Sequence, residues 1–203
     1  NVAGVTFLGD SLTFIDCPGS IELLQETLNV LPGVDAAVVV CEPEPEKALA
    51  MAPMLKALEA QGIPHMIFVN KIDKATVNVN DVVMGLKSAS SLPLLVRHMP
   101  IVEDEAVAGY IDLAAARAYD SLMEKVLEDV APERDEIYAS MTDDFQQGLL
   151  VPVLLGAAEH ENGVRRLLKA LRHEVPEAAR SAERAGAGDA DGVLAQVLKT
   201  YHT

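Results

Sequence analysis

The chain has 203 residues, half of them apolar, which suffices for one α/β domain with a sizeable core and the start of a second. Its 16 basic and 31 acidic residues give a formal charge of -15, which excludes a general electrostatic affinity for nucleic acid, so any contact with RNA must come from elsewhere in a larger protein. The longest nearly unbroken apolar stretch, 148–158, is too short to span a bilayer and contains Pro152; the reading is a soluble chain with no membrane partner and no signal peptide.

Residues 5–8 and 12–16 read as two strands joined by a tight turn at Gly9-Asp10-Ser11, because Gly and Asp tolerate the backbone angles such turns need. The second strand runs into Asp16-Cys17-Pro18-Gly19. Asp16 could hold a magnesium ion through water, and Gly19 has no side chain to keep its amide from a terminal phosphate. The same residues also read as a plain strand-to-helix elbow, with Ser20 as the N-cap and Glu22 in the first turn. A helix over 21–31 carries Leu24, Leu28 and Leu31 on one face and stops at Pro32-Gly33. Residues 36–41, with three consecutive valines, form a central strand. Glu42-Pro43-Glu44-Pro45-Glu46 is a stiff acidic connector, read as a solvated loop, into a helix that runs to Gln61 and is closed by Gly62 and Pro64.

Pro64 opens the run His65-Met66-Ile67-Phe68-Val69, which ends in Asn70-Lys71-Ile72-Asp73. Its uninterrupted apolar character predicts a parallel strand covered on both faces. Ligands in open α/β sheets sit beyond the carboxyl ends of the strands. Asp73 could there accept two hydrogen bonds from the N1 and N2 donors of guanine, which adenine does not offer. Lys71 could lay its methylene stem along the base, and the Asn70 amide could tie neighbouring loops together. An ordinary strand-to-loop exit remains the alternative.

A short helix follows near 81–89. From 93 to about 148 the pattern changes to strands at 94–98 and 110–113 and helices at 114–130 and 133–147, as in an insertion carried on the main sheet. Residues 150–155 return to buried-strand character and exit into Gly156-Ala157-Ala158. The helix after Asn162-Gly163 spaces Val164, Leu167, Leu168, Leu171 and Val175 as a core face. Residues 178–191 read as a linker, and 192–199 as a strand that opens a second domain. Cys17 and Cys41 fall at strand ends without metal-like spacing, and none of the five histidines lies within four residues of another or of a cysteine, which points to reduced cytosolic thiols.

Three motifs, Asp16-Cys17-Pro18-Gly19, Asn70-Lys71-Ile72-Asp73 and Gly156-Ala157-Ala158, thus stand in order at strand ends. Together they resemble the guanine-nucleotide-binding domain of translational GTPases, most closely elongation factor G. The resemblance extends over nearly the whole length, including an inserted subdomain around Gly109-Tyr110-Ile111-Asp112-Leu113. It implies a P-loop NTPase (G-domain) fold, a mostly parallel sheet with helices on both faces. Residues 1–177 are then a G domain with an inserted α+β subdomain at about 93–148, 178–191 a linker, and 192–203 the start of a β-barrel. By the same resemblance the ligands are GTP or GDP with Mg2+, and the setting is cytoplasmic, on the ribosome. Asp16 and Gly19 belong to the magnesium and γ-phosphate switch, Asn70, Lys71 and Asp73 read the base, Ala158 gives its amide to the guanine O6, and Ala157 stands where the family often has Ser.

The departures are specific. No G-x-x-x-x-G-K-[ST] motif occurs in these residues, and the family's first switch is missing, as in a fragment whose sequence begins after both. In this fold the strand before that loop lies between the strands ending at Asp16 and Cys41, so two inner edges should be exposed. The helical section after Leu113 is shorter than the family's, with a piece absent near Tyr119 and Asp120. Ser20 replaces the family's water-positioning histidine, the catalytic position. Two functions therefore compete: a GTP-hydrolysing elongation factor, and a paralogue that binds GTP or GDP as a regulatory or structural module with little or no hydrolysis. A non-nucleotide α/β protein with chance motifs is the third.

Overall fold

The structure, a computed structural model, describes residues 1–103, 106–112 and 134–187. Strands β1 (Val2–Phe7) and β2 (Asp10–Ile15) form an antiparallel hairpin. Its turn is the pair Leu8-Gly9, at φ 50° and 94°, one position earlier than expected, because a two-residue hairpin turn wants positive φ at both positions. A 3-10 turn over Ile21–Leu23 precedes α1 (Leu24–Val30). Leu23 therefore holds the N-cap position, with no side-chain cap bond. The capping role expected of Ser20 is not observed: the tighter opening turn moves the start of the α-helix onward, and the Ser20 carbonyl accepts the Leu23 N–H at 3.1 Å.

Next come β3 (Ala37–Cys41), α2 (Pro45–Ala50) and α3 (Ala52–Ala60). The single helix expected to reach Gln61 is two helices meeting at Met51. Pro53, which has no N–H to donate, sits in the first turn of the second, where none is needed. After β4 (His65–Val69), α4 (Val79–Ala89) starts at Asn78, whose side chain accepts the Asn80 N–H at 2.9 Å. Strands β5 (Leu94–Val96), β6 (His98–Glu103) and β7 (Ala106–Asp112) follow, then α5 (Arg134–Gln146), β8 (Val151–Leu155), α6 (Val164–Glu174) and α7 (Ala178–Arg184).

The main sheet is parallel throughout, in the order β3-β4-β8-β5. Every residue of β4 and β8 is buried, as their unbroken apolar runs require. Alternate side chains divide them between two cores. Ile67, Val69, Val153 and Leu155 pack with Leu55, Leu58, Val82 and Leu86 from the helices of one face. Met66, Phe68 and Leu154 pack with Phe145 and Leu171 from α5 and α6 on the other.

Leu94–Val96, the first strand of the stretch read as an insertion, lies in the main sheet beside β8, whereas among the described residues β6 and β7 pair only with each other. The helix expected at 114–130 and the strand at 192–199 lie outside the described residues. Residues 178–184, expected as linker, form α7: Ala, Arg and Glu are good helix formers, Ser181 is buried, and Arg184 donates to the Val34 carbonyl.

Among the described residues β2 has β1 as its partner and β3 pairs with β4 on one side only. The two facing edges bound a groove of about 820 Å³, walled by Leu12 and Phe14 on one side and by Val38 and Val40 on the other. These are the two inner edges expected to be exposed.

Candidate functional site

Parallel register brings three strand ends together, with Cys41 opposite Val69 and Val69 opposite Leu155. The residues that follow, Glu42, Asn70 and Gly156, are neighbours at the carboxyl edge of the sheet. The ladder continues past the strands: Asn70 N–H donates to the Cys41 carbonyl at 2.8 Å and Gly156 N–H to the Val69 carbonyl at 2.9 Å. Lys71 takes a left-handed backbone, φ 60° and ψ 35°, which turns the chain into a 3-10 turn over Ile72–Lys74. The Ile72 N–H donates to the Gly156 carbonyl at 3.1 Å, and the Ala158 N–H donates to Asn70 Oδ1 at 2.9 Å. The Asn70 side chain thus joins the two loops, as its amide chemistry suggested.

Asp73 sits on this junction with its side chain 19% exposed, Oδ2 lying 3.5 Å from His160 Nε2. Lys74 Nζ adds a second tie between the loops at 2.6 Å from Glu159 Oε2. The ammonium of Lys71 is ion-paired with Glu42. Ala157 differs from its neighbours. It is 1% exposed, its N–H donates to the Asn162 carbonyl at 3.0 Å, and its own carbonyl accepts from the N–H groups of His160 and Asn162. Ala157 shapes the loop from inside and presents no free group at its surface. The amide of Ala158, assigned by resemblance to the base, here serves Asn70.

Two glycines are fixed by this geometry. A Cβ at Gly156 would stand 2.4 Å from Phe68 Cζ and 2.5 Å from the Asn162 carbonyl oxygen, and Gly163 has φ +80° with the Leu155 carbonyl oxygen 2.5 Å from where a Cβ would be.

Asp16, Gly19 and Ser20 are exposed and line the groove beside β3. Their corner is held from α1, where buried Thr27 donates Oγ1–H to the Pro18 carbonyl at 3.3 Å. Among the described residues no hydrogen bond or ion pair joins these three to the Asn70–Asp73 loop. A Cβ at Gly19 would meet nothing within 4 Å, and its φ is not positive, so neither packing nor backbone requires glycine there. The Asp16 carboxylate accepts from Asn1 Nδ2 at 3.4 Å. A single carboxylate open to solvent suits Mg2+ that keeps its waters and takes its other ligands from phosphate oxygens. Among the described residues no three metal-ligating side chains cluster.

Sequence reasoning passed over Glu42, His160 and Asn162. Glu42 was legible in principle: it follows a parallel strand directly, as Asn70 does. The other two lie in a loop whose path no periodicity describes.

Residues 4–177 match the family described as the elongation factor Tu GTP binding domain. The chain belongs to that family, a translational GTPase family whose domain binds guanine nucleotide. An elongation factor G-like protein of Synechocystis sp. is 39% identical over 241 residues, an alignment that takes in 100% of this chain and 36% of the relative. The tetracycline resistance protein TetW of Butyrivibrio fibrisolvens is 26% identical, over 79% of this chain and 26% of its own length. A solved structure from Thermus thermophilus superposes with a TM-score of 0.76 over 93% of this chain and 33% of that one; at 24% identity it shows the fold. The chain spans roughly a third or less of the length of these relatives. No helix among the described residues is long and apolar enough to cross a membrane.

Proposed function

We propose that this chain is the guanine-nucleotide-binding part of an elongation factor G-like GTPase that acts on the ribosome. The observation that carries the reading is the Asn70–Ala158 hydrogen bond, which holds two strand-end loops together around the Asp73 carboxylate. In this reading Asp73 accepts the N1–H and N2–H of guanine, and Asn70 and Ala158 set the edge of the base site. Lys71 covers a face of the base with its stem, and Ala157 supports the loop from below.

The phosphate end rests on Asp16 and Gly19. Asp16 holds a magnesium ion through water, and the ion supplies charge stabilisation at the β- and γ-phosphates. The open space where a side chain at Gly19 would sit suits a terminal phosphate that approaches the Gly19 amide. The groove between β2 and β3 accommodates the strand that the fold places before a phosphate-binding loop. The whole protein's hydrolysis and ribosome binding belong to this proposal, with a cytoplasmic setting. The relatives' names, elongation factor G-like and tetracycline resistance, support it.

A second reading, nucleotide binding without useful turnover, is favoured by Ser20. A serine hydroxyl is shorter than an imidazole and carries no cationic proton near neutral pH. Calorimetry on the full-length protein tests the base site. GDP binds far more tightly than ADP, and Asp73→Asn moves preference toward xanthine nucleotides, whose O2 accepts from the new amide. Equal affinity for adenine and guanine nucleotides refutes the reading.

A further inference from the structure

The acidic connector after β3 reads from sequence as a solvated loop, yet its first residue is held in place. The Glu42 side chain is 31% exposed, and its two carboxylate oxygens are divided between two ammonium groups, Oε1 on Lys71 and Oε2 on Lys47. Lys47 is drawn further by Glu44 Oε1 at 2.9 Å. The Lys47 and Lys71 ammoniums together push the Glu42 carboxyl down to about 2. Lys71 is otherwise an awkward residue to position. Its side chain is half exposed, a free lysine stem samples many rotamers, and its backbone is left-handed. An anion fixed at the neighbouring strand end selects among those rotamers.

We infer that Glu42 is a positioning residue of the nucleotide site: it anchors the Lys71 ammonium so that the lysine's methylene stem is preset as a wall for the guanine base. The inference rests on the proposed base site and assigns it a residue that the three motifs do not contain. Its mechanism is preorganisation. A stem already ordered in the free protein loses less side-chain entropy when the base arrives. Because the pair is partly exposed, the effect is modest, on the order of a few-fold in affinity.

The test is a double-mutant cycle on GDP affinity in the full-length protein, with Glu42→Gln, Lys71→Ala and the double variant. Glu42→Gln weakens GDP binding about threefold in the wild-type background and has no effect in the Lys71→Ala background, since the anchor then holds nothing. An unchanged affinity for Glu42→Gln overturns the inference. An equal loss in both backgrounds does so too, because the effect would then reach the nucleotide by another route. Asp73→Asn, run beside the cycle, reports on the base site itself. If it leaves guanine preference intact, the base-site reading fails. If preference shifts while the cycle shows no coupling, only the role of Glu42 fails.

Discussion

Replacing Gly156 by alanine adds one methyl group at the point where the loops after β4 and β8 meet. That carbon would stand 2.4 Å from Phe68 Cζ and 2.5 Å from the Asn162 carbonyl oxygen, against about 3.5–4.0 Å for an ordinary carbon contact. Phe68 is 3% exposed and packs with Met66, Phe145 and Leu154, so its ring has little room to retreat. The oxygen is backbone, and it already accepts the Ala157 N–H at 3.0 Å. The loop itself must therefore shift, and with it the Ala158 amide bound to Asn70 Oδ1. Overpacking of this kind costs about 1–3 kcal/mol, or a fall in Tm of about 2–12 °C for a domain of this size. GDP affinity falls as well, because the Asp73 and Asn70 groups lose their register with the second loop. Thermal unfolding by circular dichroism and calorimetric titration with GDP, both on the full-length protein, read the two effects. Gly19→Ala is the internal control, since a Cβ there meets nothing within 4 Å; its Tm stays put while affinity for a γ-phosphate-bearing analogue drops. A Gly156→Ala protein with unchanged Tm and unchanged GDP affinity would refute the geometry.

Ser20→His raises single-turnover GTP hydrolysis with GTP affinity almost unchanged, since a water-positioning group acts on the transition state. Because Ser20 does not cap α1, the variant should not show the roughly 1 kcal/mol penalty of a lost cap; equal rates for the two proteins would mean another residue positions the water. Arg97→Met strands Glu174, which is 7% exposed and holds Arg97 Nη1 at 2.8 Å, at a cost of about 3–5 kcal/mol readable by urea unfolding. Burial already pushes the Glu174 carboxyl up, and without Arg97 it rises further. A raised carboxyl favours the protonated form, so the deficit is smaller at pH 5 than at pH 8. Burial likewise pushes the His65 imidazole down, while Nδ1 bonds the Ile63 carbonyl at 3.0 Å. The folded state thus prefers the neutral ring, and stability is full above the ordinary histidine value of about 6.5 and declines as pH falls below it. His65→Phe removes that part of the acid slope, and an unchanged slope in unfolding between pH 7 and 5 would count against the burial argument.

The residues alone determined the strands at 65–69 and 151–155, the second to within one residue, because a strand covered on both faces needs an unbroken apolar run and few other segments of the chain have one. They also determined the order of the three strand-end motifs, since side-chain chemistry at a strand terminus is local in sequence. Helix ends were less legible. Ser20 has a good capping side chain, but whether an α-helix or a 3-10 turn follows depends on how the corner packs, here on Thr27 gripping Pro18. Residues 178–184 have a composition that suits a linker and a helix equally, and contact with the body of the domain decided for the helix, through the Arg184 bond to Val34. Leu94–Val96 belongs to the main sheet because β8 offers it an edge 57 residues later in the chain, a pairing that no local pattern encodes. The same reason hid the pairing made by Glu42. Its partner Lys71 lies 29 residues away, and only the parallel register of β3 with β4 sets the two strand ends side by side.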